Sequence, residues 1–208
     1  MIFIENINAD MVERALHLIA VLVFALSGAL AAAWNKQTFV TFAFFAILTG
    51  VGGGTVRDIL IGAPVFWVND SLIIALCIFA ALLIWFVPAK FMPARALDWC
   101  DALGMAAYSV FGAGKALAYG VSPIPAIIMG IITACIGGVI RDILAGEPSI
   151  IMRPEIYVSA SALAAALFVV IFLWGVPIMF AAAIGASAGF ILRAAAIQYG
   201  LGLPTYKK

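Results

Sequence analysis

Two arginine–aspartate pairs, Arg57-Asp58 and Arg141-Asp142, stand inside strongly apolar stretches of this 208-residue chain. Each pair follows a glycine pair, in the stretches GGGTVRDILIGAP and GGVIRDILAGEP. Charged side chains inside a bilayer are costly unless they are paired or hydrated. Because adjacent residues on a helix point about 100° apart, we expect neither pair to satisfy itself. Each arginine should instead bind a carboxylate or free carbonyl groups on another helix, in two equivalent networks.

Glycines directly precede both charged pairs, as Gly52, Gly53 and Gly54 in the first stretch and Gly137 and Gly138 in the second. Each glycine weakens a helix by about 1 kcal/mol relative to alanine, so these runs predict a break or kink. Carbonyl groups freed by a break inside a membrane must meet protein or line a wet cavity, and a dehydrated cation binds such groups. The alternative is that the glycines let two helices pack closely.

The charged pairs have two open interpretations: a charged constriction or gate at each mouth of a pathway, or interfacial anchors near helix ends. Lys115 interrupts another apolar stretch and should face a cavity, a carboxylate or a lipid phosphate, unless it extends to the interface. His17 is expected to be a polar residue of helix packing, with a proton carrier as the alternative, and Asp98 and Asp101 to favour the start of their helix. Arg193 is expected to extend to the nearby membrane surface.

The elements that must position these residues are membrane-spanning helices. The chain is 66% hydrophobic and 10% charged, whereas a soluble domain has about a quarter charged residues. A single membrane domain over residues 1–208 is therefore predicted, and the net charge of +1 gives no basic face for nucleic acid. Seven runs are long enough to span: Met11–Trp34, Thr38–Ile61, Ser71–Val87, Asp98–Tyr119, Pro123–Leu144, Ile156–Trp174 and Pro177–Ala196.

An internal repeat relates the two charged stretches at an offset of 84 residues. Over 49–64 and 133–148, nine of the sixteen positions are identical. We therefore predict two three-helix repeats, 11–87 and 98–174, with helix 7 (177–196) outside them. Since three is an odd number of crossings, the repeats are inverted, and proteins of this design place their pathway at the repeat interface.

Orientation follows from the basic residues near the helix ends. Lys36, Lys90, Arg95, Arg153 and the C-terminal lysines fall on the same side. The positive-inside rule then places the C-terminus in the cytoplasm and the N-terminus outside.

Three functions from different classes fit this design, and no catalytic, nucleotide-binding or cofactor motif points to an enzyme. A passive cation channel would use Thr49, Thr133, Ser27 and freed carbonyls along its path. A secondary transporter of a small zwitterion such as glycine would use the same helix breaks to bind a carboxylate and an amine. A membrane scaffold would use the GxxxG spacing of Gly185 and Gly189, which we expect to serve close packing of helix 7 on another helix.

The doubled motif GlyGly-x-x-ArgAsp-Ile-Leu-x-Gly-x-Pro, on seven helices with an inverted repeat, resembles the trimeric intracellular cation (TRIC) channel family, in particular its bacterial branch. The resemblance implies a homotrimer in a bacterial inner membrane, with a pore in each protomer between the repeats that passes potassium and sodium. Gly53, Gly54, Gly137 and Gly138 match the family's kink glycines. The charged residues beside them and Lys115 also match. The lysine–glutamate–valine motif of animal members is absent.

Overall fold

The computed structural model describes residues 2–93 and 95–206, and within them the side chains from Arg14 onward except those of residues 16 and 89. The described residues form seven α-helices, as predicted, and two short 3-10 turns. The helices are α1 Ile2–Trp34, α2 Phe39–Leu60, α3 Ser71–Phe86, α4 Ala96–Ala118, α5 Pro123–Ala145, α6 Val158–Leu173 and α7 Ile178–Tyr199; the turns are Ala89–Phe91 and Ile150–Met152.

Four of the described helices, α1, α2, α5 and α7, are long and apolar enough to cross a membrane. The apolar α3 and α6 are shorter, with 16 residues each, and α4 carries Asp98, Asp101 and Lys115. Helix α1 begins well before the predicted Met11, because hydropathy marks the apolar part of a helix and not its polar first turns. The apolar window within α1 starts at His17.

The helices alternate in direction, which gives the bundle two faces. Arg14, just before the apolar window of α1, pairs with Asp70, the N-cap of α3, at 3.2 Å, so the apolar part of α1 and helix α3 begin on the same side. We call the face at which α1, α3, α5 and α7 begin the N-terminal face. The face at which they end is the C-terminal face.

Helices α2 and α5 pack against each other at the centre of the bundle. Helix α1 packs on α2, helix α4 packs on α5, and α1 and α4 also pack on each other. Outside this centre, α7 lies on α6. A methyl group on Gly185 would lie 2.7 Å from the carbonyl oxygen of Ala164, and one on Gly189 would lie 2.7 Å from the side chain of Ala164. The predicted use of this GxxxG spacing for helix packing is confirmed.

The glycine runs do not interrupt their helices: α2 is continuous through Gly52–Gly54, and α5 is continuous through Gly137 and Gly138. The expected break, with carbonyls freed from the helix, is therefore wrong, whereas a kink at these glycines stays a prediction. A side chain on Gly53 would overlap the carbonyl oxygen of Thr133. The glycines let two helix backbones touch, and this contact outweighs a helix-propensity cost of about 1 kcal/mol each.

The α2–α5 contact repeats itself at the 84-residue offset. A side chain on Gly137 would overlap the carbonyl oxygen of Thr49, just as one on Gly53 would overlap that of Thr133. Each helix thus presents one glycine and one threonine carbonyl to the other.

Candidate functional site

The two arginine–aspartate motifs lie near the ends of α2 and α5, one toward each face. Arg57 Nε donates to Asp58 Oδ1 at 2.9 Å, and Arg141 Nε donates to Asp142 Oδ1 at 2.9 Å. The second contacts, from Nη2 to the same oxygens, measure 2.8 and 2.7 Å. Contrary to expectation, each arginine bonds its own neighbouring aspartate, because the long side chain bends back across the angular offset between neighbours. The expected bond to a carboxylate on another helix is confirmed for Arg141, which also binds Asp101 of α4.

The second oxygen of each aspartate holds the loop that follows its helix. Asp58 Oδ2 accepts from the backbone N–H of Phe66 at 3.1 Å, and Asp142 Oδ2 accepts from that of Ile150 at 2.8 Å. Phe66 and Ile150 are themselves 84 residues apart. The aspartates therefore orient the arginine with one oxygen and fix the loop with the other.

The same loops explain the repeated glycine of the motif. Gly62 and Gly146 adopt φ values of 69° and 72°, in the left-handed region that other residues rarely enter. The residue after each glycine closes the turn: the backbone N–H of Ala63 donates to the carbonyl oxygen of Asp58 at 2.8 Å, and that of Glu147 donates to the carbonyl oxygen of Asp142 at 3.0 Å. The motif thus encodes a buried ion pair together with the turn that closes over it.

Beyond the motifs, the two networks recruit different partners. Near the N-terminal face, Lys115 Nζ at the end of α4 lies 2.8 Å from Asp58 Oδ1. We call Arg57, Asp58 and Lys115 the N-face cluster. Two cations and one carboxylate give it a net charge of +1.

The corresponding cluster near the C-terminal face has the opposite charge. Arg141 Nη1 donates to Asp101 Oδ1 near the start of α4 at 2.6 Å and to Ser27 Oγ of α1 at 3.0 Å. We call Arg141, Asp142 and Asp101 the C-face cluster; one cation and two carboxylates give a net charge of −1. The expectation of two equivalent networks is wrong, because the offset places His17 opposite Asp101 and leaves Lys115 without an ionic counterpart.

Aromatic rings surround the guanidinium of Arg57. Its Cζ lies 5.3 Å from the ring centre of Phe111 and 5.9 Å from that of Phe66. The imidazole of His17 packs on both rings, with centres 4.4 and 4.9 Å apart. The prediction of His17 as a helix-packing residue agrees with this position.

The burial of these charges excludes the interfacial-anchor interpretation. Arg57 is 0% exposed and Arg141 1% exposed, so neither side chain reaches the lipid headgroups. Lys115 is partly exposed and has the carboxylate partner that was one of its predicted surroundings. Arg193 was expected to extend to the membrane surface, which is wrong: it is 2% exposed, pairs with Glu155 at 2.6 Å and lies over the ring of Tyr157.

The three hydroxyl residues predicted to line a path are buried around the α2–α5 contact. Ser27 Oγ donates to the carbonyl oxygen of Phe24 at 2.9 Å, and Thr133 Oγ1 donates to that of Met129 at 2.6 Å. Thr49 Oγ1 has no hydrogen-bond partner among the described residues.

Two tyrosines that the sequence did not single out bind the central helices. Tyr108 Oη donates to the carbonyl oxygen of Gly50 in α2, and Tyr157 Oη donates to that of Ala134 in α5, both at 3.3 Å. The acceptors Gly50 and Ala134 are 84 residues apart, whereas the tyrosines are not. A buried tyrosine in an apolar chain needs a polar partner for its hydroxyl, and that need is the signal that could have identified them.

A cavity of about 340 Å³ lies near the C-terminal face between the start of α4 and the end of α7. None of the residues predicted for the pathway lines it. Its charged lining consists of Arg95, Asp98, Glu155 and Arg193. The described residues contain no group of three His, Cys, Asp or Glu side chains able to hold a metal ion.

A family profile described as "Glycine transporter" matches residues 14–89 and 98–174, well over half of the chain. A UPF0126 membrane protein of Vibrio cholerae is 37% identical over 193 residues, covering 88% of this chain and 78% of that protein. The UPF0126 inner membrane protein YadS of Escherichia coli strain K12 is 33% identical over 195 residues, covering 92% and 94%. This chain belongs to the UPF0126, or glycine-transporter, family.

The structural comparison links this UPF0126 protein to channels. A crystal structure of the TRIC trimeric intracellular cation channel orthologue from Rhodobacter sphaeroides matches with a TM-score of 0.85 and 37% identity, covering 91% of this chain and 99% of that one. The resemblance to the TRIC family, the all-helical fold and the multi-pass membrane class are thereby confirmed. Membership in this family also confirms that the chain is not an enzyme.

Proposed function

We propose that this protein is a monovalent-cation channel that passes potassium. The observation that carries the proposal is the match of nearly the whole chain to the Rhodobacter sphaeroides TRIC orthologue, in sequence as well as fold. Proteins that share only a fold can differ in function, but here 37% of the residues are identical over a match that covers 91% of this chain.

The pathway in this proposal runs within each protomer, between helices 1–3 and helices 4–6 of an inverted repeat. The two charged clusters are its gates or constrictions. Along α4, Asp101 and Lys115 are separated by 14 residues, which is about 21 Å of helix at 1.5 Å per residue. The clusters therefore lie toward opposite faces, with the glycine contacts of Thr49 and Thr133 between them and Ser27 hydrogen-bonded to Arg141 of the C-face cluster.

Each gate is an ionic link between α4 and a central helix. Lys115 joins α4 to α2 through Asp58, and Asp101 joins α4 to α5 through Arg141. A cation that enters from either face meets a link that must open or exchange partners. Because the links are buried and charged, they exclude ions when closed and supply polar groups when open.

We further propose a homotrimer in a bacterial inner membrane with the N-terminus outside and the C-terminus in the cytoplasm. The Rhodobacter sphaeroides relative is described as trimeric, and the Escherichia coli relative as an inner membrane protein. The basic residues near the ends of the helices favour this orientation.

The test is reconstitution of the purified protein into planar bilayers in potassium chloride. We expect unitary current steps that K115Q and D58N change in amplitude or open probability, because both substitutions break the α4–α2 link. R153Q, which alters an arginine at the protein surface, is the matched control and should leave the steps unchanged.

The description of the family as a glycine transporter favours a second candidate, a secondary transporter of glycine or a similar zwitterion. Proteoliposomes loaded with buffer and supplied with labelled glycine separate the two. Saturable glycine uptake without unitary currents would refute the channel, whereas currents without uptake would refute the transporter.

A further inference from the structure

The two repeated arginines occupy sites of different chemistry. Arg141 uses Nε, Nη1 and Nη2 in hydrogen bonds to Asp101, Asp142 and Ser27, on three different helices. Arg57 has one ionic partner, Asp58, and its Nη1 has no hydrogen-bond partner among the described residues. Hydrogen bonds to three helices therefore hold the guanidinium of Arg141, whereas that of Arg57 has one carboxylate and otherwise nonpolar neighbours.

The surroundings of Arg57 are ring faces. Phe111 and Phe66 both lie within the distance, about 6 Å from ring centre to cation, at which the negative face of a ring attracts a positive charge. Lys115 Nζ is 6.0 Å from the centre of Phe66. The rings thus face the excess positive charge of the N-face cluster, and aromatic faces need no hydrogen bond from the cation that they bind.

The carboxylate of this site does not depend on Arg57. Asp58 Oδ1 contacts Lys115 Nζ at 2.8 Å, so Asp58 keeps an ionic partner if the guanidinium is removed. Lys115 is also 20% exposed, which connects the cluster to the protein surface. Removal of the arginine side chain should therefore leave a vacant, reachable space with a paired carboxylate and two ring faces.

We propose that Asp58, Phe66 and Phe111 form a binding site for organic monovalent cations, and that the guanidinium of Arg57 is its tethered occupant. Quaternary ammonium and guanidinium ions are the ligand class, since a site of ring faces accepts cations that donate no hydrogen bonds. Arg57 keeps this site filled from within the chain. The site rests on geometry at Arg57 and does not require that the protein conduct ions.

The primary test compares R57A with R141A, two identical substitutions in equivalent positions of the repeat. Thermal unfolding of each purified protein is followed with tetramethylammonium chloride or sodium chloride at equal, non-denaturing concentration. We expect tetramethylammonium to raise the Tm of R57A by a few degrees, because a ligand that binds the folded state stabilises it. It should not raise the Tm of R141A, whose site offers hydrogen-bond acceptors in place of ring faces. Guanidinium chloride at the same concentration should raise both.

A second pair of variants tests the rings. R57A/F111L should lose the tetramethylammonium response, because leucine fills similar space without the aromatic face. R57A/F44L, which alters a phenylalanine that is 54% exposed, should keep it. Equal responses of R57A and R141A, or a response that survives F111L, would overturn the proposal.

Poor folding of R57A would not remove the test. If the vacant site destabilises the protein, tetramethylammonium present during purification should restore a monodisperse R57A and should not restore R57A/F111L. A folded R57A that ignores tetramethylammonium, or an unfolded one that it does not rescue, contradicts the site. Absence of currents from the wild-type protein in bilayers would refute the proposed channel and leave this result unaffected.

Discussion

At the scale of single residues, two buried copies of one sequence motif form charge clusters of opposite net charge. Arg57 and Arg141 carry the same neighbours in sequence and the same contact to the adjacent aspartate. What differs is the third charged group, Lys115 in one cluster and Asp101 in the other. Removing one partner of a buried ion pair destabilises a protein by more than the intact pair stabilises it, because the remaining charge is left buried and unpaired. The third charged group of each cluster therefore decides how much stability is lost when its arginine is substituted.

We expect R141A to lower the free energy of unfolding by about 3–5 kcal/mol, because it leaves the carboxylates of Asp101 and Asp142 buried without a cation. R57A should cost clearly less, because Lys115 still neutralises Asp58. Denaturant-dependent unfolding in detergent measures both, with R153A as a surface control expected within about 0.5 kcal/mol of wild type. A larger cost for R57A than for R141A would contradict the charge assignment of the clusters.

At the scale of elements, the bundle depends on the contact between α2 and α5. Gly53 and Gly137 bring each backbone against a threonine carbonyl of the other helix, and nothing larger than hydrogen fits there. Gly138, the next residue, is different. The heavy atoms nearest to a Cβ on it are Arg141 Nη2 and Tyr157 Oη, both at 3.7 Å, and that is ordinary contact.

Alanine substitutions at these glycines should therefore have opposite effects. G53A and G137A should each destabilise the protein by about 1–3 kcal/mol, since overpacking of a rigid contact forces the helices apart. G138A should be neutral or stabilise by up to about 1 kcal/mol, because alanine favours the helix and meets no clash. Thermal unfolding of the three variants gives the comparison. A destabilised G138A would mean that helix flexibility at the glycine pair, not close packing, accounts for its presence.

At the scale of the whole molecule, the repeat gives a symmetric frame with asymmetric charge. The N-face cluster carries a net charge of +1 and the C-face cluster −1, with about 21 Å of α4 between the groups that set them. A negative cluster raises the local cation concentration at its mouth, and a positive cluster lowers it. A channel with this arrangement should pass cations unequally in the two directions.

Single channels in symmetric potassium chloride should therefore rectify. K115Q, which makes the N-face cluster neutral, and D101N, which does the same for the C-face cluster, should each reduce the ratio of currents at opposite voltages. High salt should reduce it too, because the Debye length falls from about 10 Å at 0.1 M to about 3 Å at 1 M. A ratio that is unaffected by both substitutions would exclude these clusters from the conduction path.

Much of the fold was within reach of the sequence, because it depends on properties that each segment carries by itself. Apolar length predicts the seven helices, and the GxxxG spacing of α7 predicts that this helix packs closely on a neighbour. The doubled motif predicts two related sites and, through its resemblance to TRIC channels, the family. Local composition determines these features before any two helices meet.

The tertiary structure decided which groups meet. The sequence places Arg57 beside Asp58 but cannot show that the side chain bends back onto its neighbour, or that Lys115 of α4 arrives at the same oxygen. The roles of Gly53 and Gly137 likewise depend on a carbonyl group from another helix. Pairing of buried charges and contact between backbones are properties of helices brought together, and so they belong to the tertiary structure and not to any single stretch of sequence.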